Sequence, residues 1–293
     1  MHFPTKTTVA AILGLSALAV SASVQHAASD TSKSKTPPPT SAQSKASTER
    51  AASLKARHEK ASAHGDESPS KNDDHAAASS ARAAHDNASR GKAETVWSEL
   101  IEGNRRFVAG RPADKSLVET RKSLAAGQHP DAIVLACADS RVSPELIFDA
   151  GLGELFVVRV AGNVADPAAL GSIEYAIEHL HCGVIVVVGH DKCGAVAAAA
   201  SGAAMPTPNL DALVRRIEPS LETLRLCAEG EELVHMGVRM NAHGSACALL
   251  AESGIVSHAV QSGELTVITA VYELESGIVK RLPVSPCITE SAR

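Results

Sequence analysis

Five residues in two short stretches carry the side chains best suited to chemistry: Cys137, Asp139 and Arg141 in Cys137-Ala138-Asp139-Ser140-Arg141, and His190 and Cys193 in His190-Asp191-Lys192-Cys193-Gly194. Two thiolates and an imidazole suit zinc, a borderline-soft ion that accepts both sulfur and nitrogen. Three protein donors, Cys137, His190 and Cys193, leave the fourth tetrahedral position open, as a catalytic zinc requires. Any one of them alone would carry little weight. A lone cysteine is usually a small buried hydrophobe, and a lone histidine usually makes an ordinary hydrogen bond.

The elements that position these residues are legible on either side of them. Ile133 to Ala136 runs into Cys137, and Val184 to Gly189 runs into His190. Both runs are apolar and rich in β-branched residues, which predicts strands buried on both faces in a parallel sheet. Open α/β sheets bind ligands beyond the carboxyl ends of their strands, where both donor groups would fall. Cys137, Asp139 and Arg141 alternate along an extended segment and so share a face, placing a carboxylate and a guanidinium beside the metal. Arg141 is expected to hold Asp139 ionised and oriented through a charge-assisted pair, which makes these two the candidate catalytic residues. A helix starting at Gly194 would point its positive end at Cys193. Asp191 and Lys192 read as exposed corner residues, and His129, His179, His181, His235, His243 and His258 carry no ligand spacing. Gly151-Leu152-Gly153 precedes a strand instead of following one, so it is no dinucleotide loop.

Around this centre, Val96, Trp97, Leu100, Ile101, Phe107 and Val108 recur at helical spacing from Glu94, and Gly110-Arg111-Pro112 stops them. A second helical piece spans Ser116 to Ala126, and Ser143-Pro144-Glu145 begins a short helix. The strand Leu155 to Val160 carries Arg159, which should meet a carboxylate or another subunit. Asp166-Pro167 reads as the N-cap and first residue of a helix, and further helices are expected over 210–226 and 231–252. Leu265 to Glu273 reads as a fourth parallel strand, and Gly277 turns the chain into an antiparallel edge at Ile278 to Leu282. The predicted fold class is α/β: a central mostly parallel β-sheet, four parallel strands plus an antiparallel edge strand, flanked by helices.

The chain's first third is different. Lys6, an apolar run from Val9 to Val20 and the small residues after it have the layout of a signal peptide, assigned to residues 1–22. The run is short of the ~20 residues that span a bilayer. Export to a periplasm or outside the cell follows, with anchoring by an uncleaved signal as the alternative. Residues 23–94, dominated by Ser, Ala, Lys, His and Asp, read as a low-complexity disordered linker, and 95–293 as the zinc domain. A net charge of −5, a pI near 6.2 and 2% aromatic residues give neither the basic surface nor the stacking platforms that nucleic acid would need. Of the six cysteines, Cys227 and Cys247 lie in apolar helical contexts and read as buried free thiols, while Cys182 and Cys287 are left unassigned.

Cys137-x-Asp139-x-Arg141 and His190-x-x-Cys193-Gly194 resemble the β-class carbonic anhydrases. So does the framework between them, Gly153 to Arg159, Ala161-Gly162-Asn163 and Gly171 to Ala176. The resemblance covers roughly residues 96 to 285. It implies one zinc ion per subunit and reversible hydration of carbon dioxide to bicarbonate and a proton through zinc-bound hydroxide. It also implies Asp139 as a possible fourth ligand in a closed state, and a homodimer or a multiple of dimers in which Trp97 and Phe107 of a helical arm pack on the partner subunit, with covering their own sheet as the alternative for these two. Where some family members place a regulatory Trp three residues before the first ligand cysteine, this chain has Val134, although Arg159 matches that pocket's Arg. Two alternatives stand beside it: a carbon disulfide or carbonyl sulfide hydrolase on the same centre, and a zinc-binding or redox-sensing module without catalysis.

Overall fold

Runs of Val, Ile and Ala free of charged residues form strands that can be covered on both faces. The computed structural model describes residues 73–291, with side chains from Gly91 onward. Its sheet contains β1 (Ala132–Ala136), β2 (Leu155–Arg159), β3 (Val184–His190), β4 (Thr266–Tyr272) and β5 (Val279–Arg281), in the order β2-β1-β3-β4-β5. The pairs β1/β2, β1/β3 and β3/β4 are parallel and β4/β5 is antiparallel, as expected for this fold class. The helices are α1 (Asp73–Val108), α2 (Leu117–Ser123), α3 (Pro144–Ile147), α4 (Pro167–Leu180), α5 (Gly194–Ser201), α6 (Pro208–Ile217), α7 (Gly230–Glu252), α8 (Gly254–Gln261) and α9 (Pro286–Ser291). The proposed signal peptide and residues 23–72 lie outside the described residues. Among the described residues, no helix is long and apolar enough to cross a membrane.

Strand alternation divides the core into two layers. Ile133, Leu135, Ile185, Val187, Val267 and Val271 join Ile173 of α4, Val196 of α5, Leu249 of α7 and Val256 of α8. On the other face Val134, Ala136, Val186, Val188, Ile268 and Ala270 meet Ala93, Val96, Trp97 and Leu100 of α1, together with Ile147 and Phe148. Each fully buried Val, Leu or Ile contributes roughly 1.5–3 kcal/mol, so the strands are held chiefly by these two layers. Trp97 is buried against its own sheet, with the Arg281 guanidinium 5.7 Å from its ring centroid.

Four features depart from the sequence expectations. First, α1 begins at Asp73, so residues 73–94, expected as a structureless linker, are helical. The stretch is rich in Ala, the best helix former, and a reading based on burial alone gives propensity too little weight. Burial among the described side chains starts at Ala93. Second, α8 and α9 form where no helix was anticipated. Ser253 caps α8 by accepting the Val256 N–H at 3.2 Å. Third, Cys247 is not a free thiol: it is joined to Cys287 of α9, with Cα atoms 5.8 Å apart. Fourth, the helix expected over 210–226 ends at Ile217, and the short turns that follow it leave Cys227 exposed.

Polar contacts fix α1 to the loops beyond β1. Asn104, 3% exposed, donates to the carbonyls of Ile147 and Gly277 at 2.9 and 2.8 Å and accepts the Val279 N–H at 2.9 Å. Asp149 accepts from Arg106 Nε at 2.5 Å and from the Ala113 N–H at 3.0 Å, and Lys115 donates to its carbonyl. Burial raises the Asp149 pKa, but Arg106, the Ala113 amide and Lys115 together outweigh it and hold the carboxyl below its usual range.

Asp149→Ala should therefore destabilise the fold by about 2 kcal/mol at neutral pH in urea titrations, the scale of hydrogen bonds to a charged group. Because the folded pKa is depressed, this difference is present above the ordinary carboxylate pKa of about 4 and fades as pH falls through the lower folded value. Reducing the Cys247–Cys287 bridge, which closes a loop with a sequence separation of 40, should cost about 4 kcal/mol measured the same way.

Candidate metal centre

The strand order sets the site. From β1 the chain crosses to β2 on one side and then returns to β3 on the other, so a crevice opens where β1 and β3 end. Ala136 pairs with Val188, which brings Cys137 and His190 out at the same edge of the sheet.

Cys137 follows β1 and opens a turn in which the Asp139 carbonyl accepts the Val142 N–H at 3.0 Å. Arg159 at the end of β2 clasps this turn, donating to the carbonyl oxygens of Cys137 at 3.0 Å and Asp139 at 2.6 Å. A carboxylate or a second subunit was expected as its partner. Backbone carbonyls take the role because Arg159 pairs in register with Ala136, one residue before Cys137. Beyond β2, the turn Ala161–Asn163 has left-handed backbone at Gly162 (φ 67°) and Asn163 (φ 47°). This path aims the Gly162 N–H at the Cys137 sulfur, 3.2 Å away, and the Asp139 N–H lies 3.4 Å from the same atom. A β-carbon at residue 162 would come within 2.7 Å of the tip of the Ile217 side chain and 3.1 Å of Ala195, so the positive φ calls for glycine and the close packing adds to it.

His190 ends β3 fully buried, with Nδ1 2.9 Å from the Asp191 carbonyl oxygen. If Nδ1 carries the proton, as that contact requires, Nε2 presents its lone pair to the crevice. Nε2 is the one buried side-chain nitrogen or oxygen among the described residues that lacks a hydrogen-bond partner. Cys193 is the N-cap of α5, and the first amides of that helix, at Ala195 and Val196, face its sulfur. The donor atoms of Cys137, His190 and Cys193 all lie within 4.8 Å of one another, and all three residues are buried. An orphaned imidazole nitrogen beside two sulfurs is the donor set that zinc accepts, so the residues present fit the metal.

Electrostatics point the same way. Contact with Cys193, together with the Asp139 and Gly162 amides, lowers the Cys137 thiol pKa against the opposing effect of burial. The same contact, with burial, pushes Cys193 well above the ordinary thiol range. Two buried thiols in contact oppose each other's ionisation, and a cation bound between them would favour the thiolates. Asp139 accepts from Arg141 Nε and Nη2 at 2.9 and 2.7 Å and from the Arg141 N–H at 2.9 Å. These bonds hold its carboxyl well below the usual range, and its Oδ2 lies 3.9 Å from His190 Nε2.

All five residues singled out in the sequence converge here. Gly162, Asn163, Asn241 and Ser245 were not assigned a part. Asn241 of α7 donates to the Gly162 carbonyl at 2.7 Å, and Asn163 donates to Ser245 Oγ at 3.4 Å. The legible signal was polar Asn241 and Ser245, four apart, on a helix face otherwise lined by Val238, Ala242 and Leu249.

Residues 132–279 match the family model described as carbonic anhydrase. Carbonic anhydrase 2 of Mycobacterium tuberculosis is 44% identical over 186 residues, covering 62% of this chain and 89% of the relative. Among solved structures, the β-carbonic anhydrase CafA of Aspergillus fumigatus superposes with a TM-score of 0.53 at 28% identity, over 67% of this chain and 96% of that one. A tetrameric β-carbonic anhydrase of Sordaria macrospora gives 0.52 at 25% identity, over 57% and 87%.

Gly162→Ala should lose about 2 kcal/mol of stability from strained backbone and the contact with Ile217. It should also weaken zinc retention against a chelator; unchanged stability and retention would show that the turn tolerates a side chain.

Proposed function

Because the chain belongs to the β-class carbonic anhydrases, we propose that it interconverts carbon dioxide and bicarbonate at one zinc ion held by Cys137, His190 and Cys193. The observation that carries this reading is the partnerless, buried His190 Nε2 within 4.8 Å of two sulfurs. Zinc supplies Lewis acidity there, bringing the ionisation of water into the neutral range.

The chain's own groups do the rest. The Arg141 fork keeps Asp139 ionised and fixes the plane of its carboxylate. Asp139 Oδ2, 3.9 Å from His190 Nε2, borders the crevice and accepts a hydrogen bond from water entering it. That bond leaves a water lone pair directed toward the carbon of the substrate, the positional part of the catalysis. With both Asp139 oxygens engaged by Arg141, the arrangement supports an open fourth position over one closed by Asp139. A module that only stored zinc would have no use for this pair.

The same reading includes export and assembly. The Cys247–Cys287 bridge supports an oxidising compartment, in keeping with the signal-like N-terminus. Leu155, Phe156 and Val157 of the edge strand β2 are half-buried and apolar, which supports a homodimer or a multiple of dimers.

Stopped-flow hydration on protein of known metal content tests the proposal. One zinc per chain and saturable turnover are expected, and Asp139→Asn should lower kcat/KM by about 10²-fold or more while zinc stays stoichiometric. Equal turnover in that variant would sink the assigned role of Asp139.

A further inference from the structure

The helix α7 touches both arms of the metal centre. Val238 and Ala242 pack against Gly189, where a β-carbon would come within 3.2 Å of the Val238 carbonyl oxygen, so α7 lies directly on the residue before His190. One residue earlier than Ala242, Asn241 is 1% exposed and spends its amide on the Gly162 carbonyl at 2.7 Å. The N–H of that same glycine faces Cys137 Sγ at 3.2 Å. A helix side chain, the two peptide units that meet at the Gly162 Cα and a ligand sulfur are thus linked in series.

From this linkage we infer that Asn241 is a positioning residue for the metal centre: by fixing the Gly162 carbonyl it restricts the backbone torsions of that residue, so that the Gly162 N–H stays directed at the Cys137 sulfur and limits the charge that sulfur gives to a metal. The inference deepens the zinc reading and rests on it. Gly162 cannot hold this orientation unaided, because glycine has the widest choice of backbone conformations and its φ here is 67°. Asn241 suits the task, since its amide donates one bond in a fixed plane from a residue locked in the core. A partner behind a metal ligand typically changes metal affinity by 10–100-fold.

Ser245 provides the comparison. It lies one turn further along the same face of α7 and bonds to the side chain of Asn163, at 3.4 Å, with no link to the sulfur. Removing it disturbs the same helix and the same turn but leaves the Gly162 carbonyl held by Asn241.

The test uses the full chain with cobalt(II) in place of zinc, read by the sulfur-to-cobalt charge-transfer band. A hydrogen bond to a thiolate lowers its lone-pair energy, so Asn241→Leu, which keeps the volume and removes the donor, should shift the band to longer wavelength. It should also speed zinc loss to a chelator by about tenfold. Ser245→Ala should leave the band in place. A native protein without a sulfur-to-cobalt band would overturn the zinc reading and this inference with it. A native band that stays unmoved in folded Asn241→Leu, or moves equally in Ser245→Ala, would overturn the inference alone. Should Asn241→Leu not fold, native protein loaded with the NMR-active cadmium isotope decides: scalar coupling from the metal to the Gly162 amide is expected, and its absence overturns the inference.

Discussion

Two sulfurs and a ring nitrogen held together out of water form a group that the protein cannot satisfy from its own side chains. The two buried sulfurs oppose each other's ionisation, and the imidazole nitrogen beside them has no donor to meet. Burying such groups is unfavourable unless a cation joins them. Much of the surrounding structure supplies partial or full positive charge to this point: the amides of Asp139 and Gly162, the first amides of α5, and the guanidinium of Arg141 one residue pair away.

The sheet turns that electrostatic demand into geometry. Parallel β1 and β3 lie side by side in register, so two distant segments finish at one edge, and β2 contributes Arg159 and the Gly162 turn from the other flank. Positions are then set by close backbone approach. Gly162 admits Ile217 and Ala195, Gly189 admits α7, and Gly237 of α7 leaves room for Leu221 and Val196. At each of these places a methyl group would crowd a packed neighbour, so the centre is defined by the path of the chain as much as by its ligands.

The four long strands and the five chemical residues were legible because each signal is local: a β-branched run ending in a donor, or an alternation over five residues. The remaining features depend on contacts across the fold. Arg159 looked in need of a carboxylate, and only the β1/β2 register shows that two carbonyls are within its reach. Cys247 sat in an apolar helical pattern that a buried thiol explains equally well. Its partner lies 40 residues away in a terminal helix with no strong periodicity. The start of α1 was hidden by the opposite problem, a stretch with good helix propensity and little apolar surface to reveal it. Asn241 was a single polar residue in a helix whose apolar face explained the rest of its pattern.

The bridge between α7 and α9 has a mechanical consequence. Its covalent ring encloses β4 and β5 and is anchored at Cys247, less than two helical turns beyond Asn241. A load attached after Ser291 would pass its tension through sulfur into α7 and bypass both enclosed strands. Tugging at the tail of this polypeptide would therefore strain the rod behind the donor cluster well before it peeled the sheet apart.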